Sequence, residues 1–350
     1  MTVDESRLHE FLHKAVGDLG AAMSAVLMSI GDELGFYKAL AKERLSPADL
    51  AARTGTHERY VREWLNNQAA GGYVHYDAAS GQYYLDDEQA LCLADPGGPV
   101  DLPGAYLIVQ DLFHIREQAT ENFRNGAGME WGDHHRCLFH GTERFFRAGY
   151  NANLLSSWLP ALDGVQEKLS RGGKAADIGC GHGASTILLA KAFPNSEFVG
   201  YDYHPQSIET ARERAKQAAA PNTRFEIADA TAYRDGDFDL IAFFDCLHDM
   251  ANPEGAARHA HDALKPDGTC MLVEPFAGDR PEENFNPVGR VFYGASSLIC
   301  VPVSLARNGP ALGAQAGEKR LRDIMVGKAG FTAMRRAAET PFNIILEARP

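Results

Sequence analysis

The chain has 350 residues, enough for two domains, and its 45% hydrophobic and 23% charged residues exclude a disordered polymer. A formal net charge of −13 repels polyanions and argues against nucleic acid as a partner. No run of eighteen apolar residues and no leader of basic then apolar residues is visible, and the six cysteines form no CxxC pair. The sequence therefore predicts a cytoplasmic protein without a membrane span, zinc ribbon or disulfide framework.

Apolar residues recur at helical spacing over residues 7–41, through Leu19, Met23, Val26, Ile30 and Leu34. Ser46-Pro47 supplies an N-cap and a first-turn proline for a helix that stops near Gly55, and a second helix runs from Thr56 to Gly71. Short strands over 73–76 and 82–85, joined by a turn around Asp77 and Gly81, complete a helix, turn, helix and β-ribbon order. Residues 1–100 thus read as a mostly helical winged-helix domain. Such a module raises the possibility of a cofactor-sensing DNA-binding regulator. Against it, Glu58 and Glu63 cancel Arg59 and Arg62 on the would-be recognition helix, and Asp77, Asp86, Asp87 and Glu88 surround the wing.

Residues 101–170 read as a helical linker, with one helix from Ala105 to Phe123 and another, or a pair, from Thr142 to Leu162. The segment is rich in aromatics, of which Trp131, Phe145 and Tyr150 are candidates to line a substrate pocket between the domains. His134, His135 and His140 lie near Asp133 and Glu143, but the spacing fits neither HExxH nor a two-Cys-two-His site, so no metal is expected.

From Lys174 to Gly183 an apolar strand runs into Asp177 and a loop containing Gly179, Gly181 and Gly183; a helix and a second strand ending in Asp202 follow. Glycine is required where a backbone turns sharply and a ligand approaches closely. Two cofactor classes fit this spacing, because Gly179-x-Gly181-x-x-Ala184 with Asp202 about twenty residues on also meets the loose dinucleotide pattern. Asp177 separates them: a carboxylate ahead of the loop repels a pyrophosphate and attracts a cation. A nicotinamide-dependent dehydrogenase stays open as the competing reading.

Further strands follow over 224–228, ending near Asp229, and over 237–244, running into Asp245-Cys-Leu-His-Asp-Met250. Pro253 to Leu264 reads as a helix, 265–268 as a turn, and Thr269 to Glu274 as a fifth strand. Residues from about 276 to 317 lack a strand pattern and carry Phe292 and Tyr293, which suggests a helical lid lining the pocket. Glu318 to Ala329 is a helix, and 331–338 with 342–348 an antiparallel hairpin. The fold class is α/β: a doubly wound, Rossmann-like sheet over 171–350 closed by a C-terminal hairpin, behind the winged helix.

In this order of strands and acids, residues 170–350 resemble class I S-adenosylmethionine-dependent methyltransferases, and the whole chain resembles two-domain small-molecule O-methyltransferases with an N-terminal winged helix. The resemblance implies S-adenosylmethionine as cofactor, held by Asp177, Gly179, Gly181 and Gly183 at its methionine end. It implies Asp202 at the ribose and Asp229 on the adenine side, with Tyr203, Ala230, Asp245 and Cys246 as further cofactor contacts. It further implies that His248 is the general base and Glu274 its orienting partner, with Glu318 a weaker second acid; Met250 departs from the family's Trp. The implied acceptor is a small apolar or aromatic molecule methylated at oxygen, with nitrogen or carbon as alternatives and a magnesium-dependent catechol type as a lesser variant. The winged helix would serve to form a homodimer.

Overall fold

The computed structural model describes residues 3–95 and 97–350. They form two compact units, Met1–His114 with His135–Gly149, and Ile115–His134 with Tyr150–Pro350. The segment 101–170 is divided between them.

The first unit begins with the helix Glu5–Glu33, capped by Asp4, whose side chain accepts a hydrogen bond from the Arg7 amide. Ser46 caps the helix Pro47–Thr54 in a reciprocal box with Asp49, and Gly55 ends it at φ 64°. The helix Glu58–Ala70 presents Val61, Trp64 and Leu65 to the core. Trp64 meets Phe36 and Tyr37 edge-on at 4.8 and 5.1 Å between centroids. A Cβ at Gly31 would stand 2.3 Å from the Trp64 ring, so glycine is what lets the first helix approach. The wing is β1 (His75–Asp77) paired antiparallel with β2 (Gln82–Tyr84). Strand β1 starts two residues later than expected because the Tyr73 amide still donates to the helix at the Gln68 carbonyl, and Val74 turns into the core. Arg59 and Arg62 pair with Glu63 and Glu58 along their own helix, as their i,i+4 spacing allows. The expected helix from Ala105 to Phe123 is interrupted at Ile115, giving Leu102–His114 and Arg116–Asn125.

The second unit holds a seven-stranded sheet: β3 (Lys174–Ile178), β4 (Glu197–Asp202), β5 (Thr223–Ile227), β6 (Phe238–Phe244), β7 (Leu264–Pro275), β8 (Ala333–Glu339) and β9 (Asn343–Arg349). Their order is β5-β4-β3-β6-β7-β9-β8; the first five are parallel, and β9 runs antiparallel to both its neighbours, β7 and β8. The order reverses between β3 and β6, the place where open α/β sheets bind ligands. Strand β6 is buried along its whole length, as a central parallel strand must be. The turn expected at 265–268 lies within β7 as an irregularity, because Phe238 pairs with Leu264 while Leu240 pairs with Thr269. The lid contains a helical run over 287–306 with a π-helical turn at Ser296–Cys300.

Glu5–Glu33 and Pro287–Ala306 are each long and apolar enough to cross a bilayer by length and composition, a test that helices packed against protein also pass. The first also carries the Lys14–Asp18 ion pair, and the second buries Phe292, Ile299 and Val303 within its own unit. Both features fit amphipathic helices that meet protein.

Candidate active site

Strand β3 delivers Asp177 and the glycine loop to the carboxyl edge of the sheet. Gly179, Gly181 and Gly183 have φ of 73°, 52° and 76°, a region that side chains other than glycine enter only with strain. A Cβ at Gly179 would stand 2.8 Å from the Cys246 sulfur, and one at Gly183 2.8 Å from the Phe225 ring. At Gly181 it would meet no atom within 4 Å, so this glycine faces open space. Asp177 is 2% exposed; its Oδ2 accepts from the Ser185 and Thr186 hydroxyls, both at 2.6 Å. Its Oδ1 is buried without a hydrogen-bond partner. Burial pushes the carboxyl up to about 6, with Asp202 adding to the effect and the two hydroxyls opposing it.

Asp202, at the end of β4, accepts from the Gly181 amide at 2.9 Å and the His204 amide at 2.8 Å, which ties the second acid to the loop. Burial holds its carboxyl above the usual range against those two bonds. Asp229 accepts from the Thr231 amide and hydroxyl and lies 3.2 Å from Arg307. Burial acts to raise it, but the Thr231 bonds and the Arg307 charge leave it below the usual range. The Arg307 guanidinium also lies over the Tyr203 ring, 4.8 Å from its centroid. This arginine, at the end of the lid helix, therefore joins the lid to both adenosine-side candidates. Ala230 is half-buried against the main core.

From β6 the chain turns sharply. Asp245 has φ 53°, rare for a residue with a side chain, and is held there by Asn343 Nδ2 at 2.6 Å and the Tyr150 hydroxyl at 3.4 Å. Burial and then the Glu274 carboxylate push Asp245 well above the usual range. The Cys246 thiol donates to the Ile178 carbonyl at 3.1 Å, beside the glycine loop.

His248 and Glu274, 26 positions apart, meet with Nδ1 and Oε2 2.5 Å apart; they are 3% and 1% exposed. The other oxygen, Oε1, accepts from the Leu247 amide at 3.0 Å, so both oxygens of Glu274 are engaged. This holds the imidazole by Nδ1, with the Cys300 thiol of the lid as a second partner of the ring. Burial opposes charge on His248, but Glu274, with the Cys300 thiol of the lid, outweighs it and holds the imidazole well above its ordinary range. Asp249 is pushed up to about 7 by burial, against the pull of His248.

Not every candidate joins this cluster. Glu318 binds Arg336 and Arg322 instead of His248. Tyr150 stands beside Asp245 and meets the Phe244 ring at 5.2 Å. Phe292 packs with Cys300 and Ala314 in the core of the lid, whereas Tyr293 is half-buried. Trp131 is half-buried beside His134, and Phe145 belongs to the first unit, in contact with Phe146. Arg307, Asn343 and Cys300 were not anticipated; no local motif marks them, since each comes from an element distant in sequence.

Residues 169–291 match a family model described as a methyltransferase domain, and residues 22–95 match the Rv2258c-like winged HTH domain. The trans-aconitate 2-methyltransferase of Variovorax paradoxus is 33% identical over 124 residues, 33% of this chain and 46% of that relative. The chain spans still less of two further curated relatives, so these matches concern one domain. Whole-chain likeness comes from solved structures. Mitomycin 7-O-methyltransferase is 20% identical with a TM-score of 0.69, over 99% of this chain and 100% of its own. Human N-acetylserotonin methyltransferase, solved with S-adenosylmethionine, is 16% identical with a TM-score of 0.72, over 100% and 99%. At such identities the likeness speaks for the fold. Sheet order, glycine loop and both domain matches agree on a methyltransferase domain of class I fold with a winged helix-turn-helix domain ahead of it.

Proposed function

We propose that the protein is an S-adenosylmethionine-dependent methyltransferase that methylates a small apolar or aromatic acceptor at a hydroxyl oxygen, with His248 as general base. The buried His248–Glu274 pair, beside the glycine loop at the carboxyl edge of the sheet, carries this reading. Bound S-adenosylmethionine would supply an electrophilic methyl group. The residues present suit it: Gly181 faces open space, and the partnerless Asp177 Oδ1 suits an ammonium. Asp202 would hold the ribose, and Asp229 with Tyr203 the adenine side.

A phenol of pKa about 10 is a poor nucleophile while protonated, and an imidazole in contact with it can take the proton as the oxygen attacks. His248 Nε2 would accept that proton, and Glu274 would stabilise the resulting imidazolium through Nδ1. Alignment of acceptor and methyl supplies much of the remaining acceleration.

The winged helix serves dimerisation in this reading. Leu12, Val16, Leu19, Met23, Val26 and Ile30 are all exposed at alternating three- and four-residue spacing, a seam that a second copy of the helix would cover. The regulator reading is disfavoured because the arginines on the wing-side helix are paired with glutamates.

Calorimetric titration with S-adenosylhomocysteine, with NAD for comparison and Asp202→Ala as control, tests the cofactor. Micromolar binding of the first alone, lost in the variant, is the expected result. Binding of NAD alone would make the protein a dehydrogenase. A panel of phenols, each assayed with and without magnesium, then tests the acceptor and the need for metal.

A further inference from the structure

A second cluster of chemically capable side chains lies in the first unit. His114 ends the helix Leu102–His114, and His135 and Cys137 lie at the start of the helix Arg136–Asn153. One ligand atom from each of the three lies within 4.8 Å of the others, the one such His, Cys and carboxylate group found among the described residues. The rings of His114 and His135 stack at 4.4 Å between centroids.

We propose that His114, His135 and Cys137 form a divalent metal site suited to zinc, with its fourth position open to solvent. Two imidazoles and a thiolate are a borderline-soft donor set of the kind zinc takes in tetrahedral sites. Bonds of about 2.0–2.1 Å to nitrogen and about 2.3 Å to sulfur place ligand atoms roughly 3.3–3.7 Å apart on such a tetrahedron. The present separations, from 2.9 Å between His135 Nδ1 and Cys137 Sγ up to 4.8 Å, bracket that spacing, and small side-chain rotations close the difference.

The hydrogen-bonding pattern points the same way. His135 Nδ1 accepts from the Cys137 amide at 3.3 Å and faces the thiol, so it is the nitrogen with the lone pair. The Cys137 thiol also reaches Gln110 Oε1 at 3.7 Å, and its 2.9 Å contact with Nδ1 is the one a metal would take over. His114 lies at a helix C-terminus, where the backbone dipole favours a cation. The His135 amide donates at 2.8 Å to the buried carboxylate of Asp111, which fixes the backbone and adds negative potential. Occupancy would clip the end of the helix Leu102–His114 to the start of the helix Arg136–Asn153.

Metal-free full-length protein titrated with Co2+ gives the test. The expected result is one equivalent bound with a thiolate-to-cobalt charge-transfer band, displaced by one equivalent of Zn2+ and lost in Cys137→Ser. His114→Ala, at an exposed position, should weaken binding at least tenfold with an unchanged circular dichroism spectrum. Absence of the band, its survival in Cys137→Ser, or affinity unchanged in His114→Ala would each overturn the proposal.

Discussion

Replacing Glu274 by Gln tests the His248 reading through a signature that a structural role would not produce. Opposite charges about 4 Å apart at an effective dielectric of about 20 attract by about 4 kcal/mol. The buried 2.5 Å contact makes Glu274 the main group raising His248, against the burial that opposes charge on the imidazole. A raised imidazole loses its proton only above the ordinary histidine range, so wild-type turnover should climb with pH through a limb well above pH 6.5. In Glu274→Gln that limb should move down towards the ordinary histidine range. The weaker base should also reduce the plateau, by about tenfold. The deficit of the variant is then largest at high pH and shrinks as pH falls, because the wild-type base becomes protonated first. The assay is kcat against pH on a phenolic acceptor, with S-adenosylhomocysteine affinity as a control expected not to change. Coincident limbs and turnover within twofold would refute the dyad, and His248→Ala, expected to fall by about 10²–10⁴, would then also be spared.

Asp177, raised to about 6, holds a proton in the folded state that it lacks when unfolded between about pH 4 and 6. Over that window its contribution to stability falls as pH rises, whereas affinity for an ammonium-bearing ligand rises. S-adenosylhomocysteine should bind about tenfold more weakly at pH 5 than at pH 7, and calorimetry of Asp177→Asn should show the step near pH 6 abolished. Gly181→Ala places a methyl in open space at φ 52° and should cost about 1 kcal/mol of stability while weakening cofactor binding. Gly183→Ala adds a 2.8 Å encounter with Phe225 and should cost at least about 2 kcal/mol, so thermal melts and ligand titration together separate the two glycines. Met23→Asp places a charge on the exposed seam of the first helix and should convert a dimer to monomer in light scattering, leaving cofactor affinity unchanged.

The parts of this molecule that were legible in the sequence are those fixed by local chemistry. Strand-end acids and glycines announce themselves, because a tight loop after a buried strand needs positive φ at fixed offsets, and Gly179, Gly181 and Gly183 all have it. The pairing of His248 with Glu274 was legible only through resemblance, since 26 residues separate them and adjacent strand ends bring them together. Asp245 was legible as a strand-end residue, but its strained backbone was not, because Asn343 and Tyr150 hold it from 98 and 95 positions away. The helix break at Ile115 was missed because neither Gly nor Pro marks it. For the same reason His114 was not connected with His135: proximity of two helix ends leaves no trace in local spacing.

Electrostatics ties the candidate site together and bears on which cofactor class it suits. Burial pushes Asp177, Asp202, Asp245 and Asp249 upward, and neighbouring carboxylates add to the effect on all but Asp202. Asp202 acts on Asp177 and Asp249, and Glu274 acts on Asp245 and Asp249, so the acids form one coupled group. A further negative charge about 5 Å from any one of them would cost about 3 kcal/mol at an effective dielectric of about 20. A pyrophosphate would bring two such charges, against the raised His248 and Arg307, which Asp229 already engages. An ammonium and a sulfonium reverse the sign: each would relieve the strain on a buried carboxylate, and the ligand would be drawn in by the same burial that makes the unliganded cleft unfavourable. The glycine loop fits either ligand in shape, and it is the buried acids around it that favour the methyl donor.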